Sequence, residues 1–160
     1  RRSDPAALSR RCRTGYAAVT GLDHVPPKGY LLDTAVLVWF VNNDPSLSPA
    51  IAALIKNTDV PVFVSAASVY ELSFKYAKGL LPEVEPLVER FKQVTFVYRF
   101  EELAISTPAA RLAATFERDN NISDPLRNMI AAQAMTEGLV LITHDDCEDL
   151  LGLEYLMAGD

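Results

Sequence analysis

The amino-acid sequence predicts an α/β fold, a central and mainly parallel sheet sandwiched between two helical layers, and three of its features carry that expectation. Apolar runs of strand length recur at Tyr30-Leu31-Leu32, Val62-Phe63-Val64-Ser65 and Leu139-Val140-Leu141-Ile142. Between them lie segments with helical spacing and helix-start signals at Ser48-Pro49, Thr107-Pro108 and Asp124-Pro125. Strands that alternate with helices favour parallel crossovers, with helices covering both faces of the sheet. The third feature is the placement of Asp33 and Asp145 where apolar runs end, because open α/β sheets carry function just beyond their strand ends.

The compact body opens with Tyr30-Leu31-Leu32 as a short strand, and Asp33 arrives as that run meets Thr34, where a helix follows. Val38, Trp39, Phe40 and Val41 form a concentrated apolar run on that helix, suited to core or to an interface. Ser48 at N-cap and Pro49 at the first helical position start another helix, with Ile51, Leu54 and Ile55 as its apolar face. The second strand is Val62-Phe63-Val64-Ser65. A helix over about 67–78 then places Glu71 four residues before Lys75, buries Val69, Leu72 and Tyr76, and stops at Gly79. A Glu-rich helix is expected around residues 83–92 and a strand at 95–98. Thr107-Pro108 introduces a helix with Leu112 and Phe116 inward, Asp124-Pro125 begins one that runs to about Met135, and Gly138 precedes the last strand.

With 160 residues the chain fits one domain, in the usual range of about 100–200 residues, with a core able to stand without disulfides or structural metal. Hydrophobic residues at 49% and charged residues at 22% exclude a coiled coil or a disordered tail. Residues 1–29 lack sustained periodicity and hold Gly21, Pro26, Pro27 and Gly29, so they read as an extension, native or added, before a single domain over 30–160. No apolar stretch approaches the roughly 18–20 residues that span a bilayer, and no apolar signal core precedes Tyr30, so a cytoplasmic location is expected. Cys12 and Cys147 lie far apart with no histidine cluster beside them, and both are expected to be free thiols. His24 and His144 are thin evidence for a site, although His144 precedes Asp145.

The formal charge of −6 is unevenly spread. Residues 1–29 hold six basic and two acidic residues, leaving nine basic and nineteen acidic in the body. An acidic body disfavours broad attraction to duplex nucleic acid, yet a localised site could still handle a phosphate. Asp33, Glu71 and Asp145 are candidates for that site, since parallel strands can bring their ends together. Oxygen-rich carboxylate clusters suit Mg²⁺ or Mn²⁺, and such an ion activates water and stabilises charge on a phosphate. Each acid also has an ordinary reading, as a cap, a surface residue or, for Glu71, the partner of Lys75. Gly-rich phosphate cradles and Ser/His/Asp or Cys/His nucleophile patterns are absent, and a phosphoacceptor receiver domain would leave Glu71 unexplained.

The body resembles the PIN-domain family, particularly its VapC-like toxin branch. Leu31-Leu32-Asp33-Thr34 with Leu37-Val38-Trp39 resembles the opening motif of that family, and residues 65–71 with Lys75 and Gly79 resemble the second. Leu141-Ile142-Thr143-His144-Asp145-Asp146 resembles the final acidic motif, so the likeness runs from about Tyr30 to near the C-terminus. The resemblance implies a PIN-like α/β/α sandwich and a metal-dependent endoribonuclease of toxin-antitoxin type. Such a protein would hold Mg²⁺ or Mn²⁺ on Asp33, Glu71 and Asp145, take RNA as substrate, pair with a small antitoxin and form a homodimer. The central motif departs from the family pattern. Asp124-Pro125-Leu126-Arg127 resembles the Asp-Pro-Phe-Asp segment, but Arg127 stands where a second Asp is expected, and Ile122 stands where this branch often has histidine.

Arg127 replaces a negative ligand by a permanent cation, a change expected to weaken or abolish metal binding. It could instead contact an RNA phosphate, pair with Asp33 or Asp145, or fill the volume of the metal. Asp124 could reach the metal or could cap the helix that begins at Pro125. A catalytically weakened or inactive PIN-domain protein that acts by binding protein or RNA is therefore the alternative to an active ribonuclease.

Overall fold

A computed structural model of the chain describes residues 26–57, 59–120, 124–147, 150 and 152–159. Cys12, His24, Ile122 and most of the N-terminal extension lie outside the described residues. Five strands, β1 (Tyr30–Leu32), β2 (Val62–Ser65), β3 (Phe100–Leu103), β4 (Val140–Thr143) and β5 (Tyr155–Met157), form one sheet in the order β3-β2-β1-β4-β5. All four pairings are parallel. The helices are α1 (Thr34–Asn42), α2 (Pro49–Lys56), α3 (Ala66–Ala77), α4 (Glu85–Glu89), α5 (Phe91–Tyr98), α6 (Thr107–Asn120) and α7 (Pro125–Glu137).

Side-chain alternation along each strand divides the core into two layers, as a sheet covered on both faces requires. Leu32, Val62, Val64 and Ile142 join Val36, Leu37, Phe40, Ile55, Leu72 and Leu87 on one face. Leu31 and Leu141 join Phe116, Ile130, Ala131 and Ala134 on the other. The result is the expected three-layer α/β/α architecture. In the run at residues 38–41, Phe40 is buried, while Val38, Trp39 and Val41 are partly buried against the first layer.

Helix ends follow their local chemistry. Ser48 Oγ accepts from Ile51 N at 3.3 Å with Pro49 in the first turn, and Gly138 closes α7 in the left-handed region at φ 67°. Gly29, at the strand entrance, has no room for a side chain: an added Cβ would lie 2.7 Å from Phe63 Cε2.

The segment from 83 to 103 corrects two sequence expectations. The Glu-rich region is a 3₁₀ turn at Pro82–Val84 followed by α4, and Arg90 at φ −128° breaks it from α5. The expected strand at 95–98 is helical, being the end of α5. Val94, Thr95 and Val97 carry strand propensity, but Phe91, Val94 and Tyr98 pack on the core at helical spacing while Phe96 and Val97 face outward. Arg99, left-handed at φ 57°, stops the helix. The strand comes next as β3, whose exposed Glu101 and Glu102 hide it from a hydrophobic search and suit a sheet edge. The other edge, β5, had no counterpart in the sequence reading.

Candidate functional site

The chain runs β1 to β3 toward one edge of the sheet and then crosses to β4 and β5 on the other side. The order therefore reverses between β1 and β4, and α/β sheets open a crevice beyond their strand ends at such a point. A cleft of about 440 Å³ lies there, lined by Asp33, Glu71, Asp124, Arg127, His144 and Asp145 among others. All five residues singled out from the sequence thus line one cleft. The arrangement of their side chains decides what it can do.

Asp33 ends β1 and caps α1. Its Oδ1 accepts from Val36 N at 2.7 Å, satisfying a helix donor that would otherwise face the cleft unpaired. Its Oδ2 accepts from the backbone N–H of His144 at 3.2 Å. Asp124 does the same for α7, where Oδ1 accepts from Leu126 N at 3.0 Å and from Arg127 N at 3.1 Å. Of the two roles the sequence left open for Asp124, the structure displays the cap. Both carboxylates also sit at the positive end of a helix, which favours their charge.

Glu71, on the second turn of α3, accepts a hydrogen bond from Lys75 Nζ at 2.5 Å, one helical turn along. Asp145 follows β4 on a turn fixed by its own N–H, which donates to Thr143 Oγ1 at 3.1 Å. Its carboxylate meets two bases, Arg127 Nε at 3.7 Å and His144 Nε2 at 3.3 Å. The Arg127 guanidinium is anchored further by donating from Nη2 to Asp146 O at 2.8 Å and toward Cys147 Sγ at 3.7 Å. Arg127 therefore pairs with Asp145, one of the roles the sequence left open.

This donor set does not fit a divalent ion as arranged. Among the described residues no three His, Cys, Asp or Glu side chains converge as a ligand group. Asp33 and Asp124 each turn an oxygen to a helix terminus, Glu71 turns to Lys75, and Asp145 turns to Arg127 and His144. A permanent cation among the carboxylates opposes a second one.

Several supporting residues escaped the sequence reading. Thr34 Oγ1 donates to Ser68 Oγ at 3.1 Å in the interior, tying the start of α1 to the start of α3. Ser65 and Gln133 join the β2–α3 junction to α7. His144 had only its position beside Asp145 as a signal. Cys147 is buried against Arg127 and is not in a disulfide, as expected from the sequence.

Comparisons agree with this architecture. A family model described as PIN domain matches residues 30–147. The fold is similar to that of VapBC2 from Rickettsia felis bound to a DNA fragment from its promoter, at 20% identity over 82% of this chain and 98% of that one, with a TM-score of 0.59. It is similar to DNA-bound VapBC from Salmonella typhimurium, at 26% identity over 79% and 96%, with a TM-score of 0.56. FitAcB from Neisseria gonorrhoeae gives 21% identity over 79% and 96%, with a TM-score of 0.57. No curated protein sequence matches this chain. No helix among the described residues is long and apolar enough to cross a membrane. With the family model spanning strands β1 to β4, the cleft and the acids that line it, the chain belongs to the PIN-domain family.

Proposed function

We propose that this chain is a toxin-type PIN-domain protein with a weakened hydrolytic site, acting by binding protein, such as a small antitoxin, or RNA. The observation that carries this reading is Arg127, whose Nε stands 3.7 Å from Asp145 in a segment where the family pattern has an acid. At an effective dielectric of about 20, unit charges about 4 Å apart interact by roughly 4 kcal/mol, so a fixed cation there opposes a divalent ion strongly. The antitoxin reading is supported by the likeness to VapBC from Salmonella typhimurium. A homodimer in the cytoplasm completes the proposal, and native mass measurement at micromolar concentration tests the assembly.

One observation favours the second reading, a Mg²⁺- or Mn²⁺-dependent endoribonuclease that hydrolyses RNA phosphodiesters. The cleft wall carries six carboxylates, Asp33, Asp44, Glu71, Glu83, Asp124 and Asp145, against two fixed cations, Lys75 and Arg127. Such a field attracts cations, the first requirement of a metal-dependent nuclease.

Mn²⁺ titration of wild type and Arg127→Asp, with matched RNA-cleavage assays, separates the readings. The proposal expects weak wild-type binding and at least about a tenfold gain in Arg127→Asp, a modest share of the charge interaction above. Tight saturable binding with metal-dependent cleavage by the wild type would overturn it in favour of the nuclease.

A further inference from the structure

His144 reaches two acids of the cleft at once. Its Nδ1 lies 3.3 Å from Asp33 Oδ2 and its Nε2 lies 3.3 Å from Asp145 Oδ1. The ring thus spans the gap between the end of β1 and the end of β4, which are adjacent strands. Its position is set by the backbone. The N–H of His144 donates to the same Asp33 oxygen at 3.2 Å, and the following residue is turned by Thr143. Trp39 then meets the ring edge-on, with centroids 5.4 Å apart and planes at 66°. The backbone bond and the aromatic neighbour thus set the imidazole between the two carboxylates.

We infer that His144 is an internal stopper, its imidazole occupying the place between Asp33 and Asp145 that an entering cation must take. Its side chain is 42% exposed, so it can swing out by side-chain rotation without unpacking the core. Contacts made at such exposure are weak one by one, and a cation of modest affinity suffices to displace the ring. The inference concerns the same cleft as the proposed function but does not depend on whether the wild type cleaves RNA. Arg127 opposes a cation by charge from the side of α7, whereas His144 opposes it by occupancy from the end of β4.

The test is Mn²⁺ affinity, read from the electron paramagnetic resonance of free Mn²⁺, for wild type and His144→Ala. Nitrogen-edited NMR of the wild-type ring during Mg²⁺ addition is the second readout. The expected result is an affinity about three- to fivefold higher in His144→Ala, the scale of two exposed polar contacts removed, with an unchanged melting temperature. In the wild type, Mg²⁺ should move the His144 ring resonances toward those of a solvated imidazole. If wild-type affinity lies below the measurable range, Arg127→Asp and Arg127→Asp/His144→Ala supply the same ratio. Unchanged or weaker binding without His144 in either background overturns the inference, as does a ring that does not respond to saturating Mg²⁺. Tight binding by the wild type would sink the proposed function and leave the inference standing, provided that His144→Ala binds tighter still.

Discussion

Ser65 and Gln133 meet in the interior across 68 residues of sequence, the serine hydroxyl donating to Gln133 Oε1 at 2.5 Å. The same hydroxyl oxygen accepts from Ala67 N at 2.9 Å, capping α3, and Gln133 Nε2 donates to Ala104 O at 3.1 Å. One side chain of α7 thereby fixes the start of α3, which carries Glu71, and the exit of β3. Gln133→Leu keeps the volume and removes these partners. Leaving buried polar groups without them costs about 1–3 kcal/mol. Urea unfolding should show that loss, and an unchanged midpoint would mean that the network contributes nothing net.

Gly29 sits where β1 enters the sheet and its carbonyl accepts from Val140 N at 3.0 Å. A methyl group there would meet Phe63 at 2.7 Å, Leu139 at 3.0 Å and the Pro61 carbonyl at 3.1 Å. Gly29→Ala should therefore destabilise the fold by about 1–3 kcal/mol, the usual cost of overpacking. Thermal unfolding followed by circular dichroism reads this directly. A wild-type melting temperature would show that Phe63 yields without strain.

Asp124 separates cap from ligand by a pair of substitutions. Asparagine caps helices about as well as aspartate, whereas alanine loses about 0.5–2 kcal/mol. The observed bonds to Leu126 N and Arg127 N predict near-native stability for Asp124→Asn and a loss for Asp124→Ala. Equal destabilisation by both would mean that the charge rather than the cap matters at this position.

The N-terminal extension is expected to be dispensable. Deleting residues 1–28 should leave the melting transition nearly intact, because the strand that begins at Tyr30 already pairs with both β2 and β4. Lys28 contributes one exposed bond, from Nζ to Glu137 O at 2.8 Å. Collapse of the shortened chain would show that the extension completes the domain.

What the sequence determined by itself rests on local periodicity and end chemistry. The strands at 30–32 and 62–65 were legible because fully buried parallel strands need continuous apolar runs, and the starts of α2 and α7 were legible because Ser or Asp before Pro satisfies helix donors in any context. The placement of Asp33 and Asp145 at strand ends followed from the same runs. Residues 91–98 defeated that reading: β-branched residues in a short window fit strand and helix alike, and only packing on the core chose the helix. The edge strand β3 escaped because its exposed Glu101 and Glu102 interrupt the apolar pattern. Tertiary structure alone decided the chemistry of the cleft. Whether Arg127 pairs with Asp33 or Asp145 and where the His144 ring points depend on which strand ends are neighbours. That neighbourhood is fixed by the sheet order, in which β1 lies beside β4 although 107 residues separate their last and first residues. Side chains that far apart in sequence meet only after the sheet has formed, so no local pattern records their pairing.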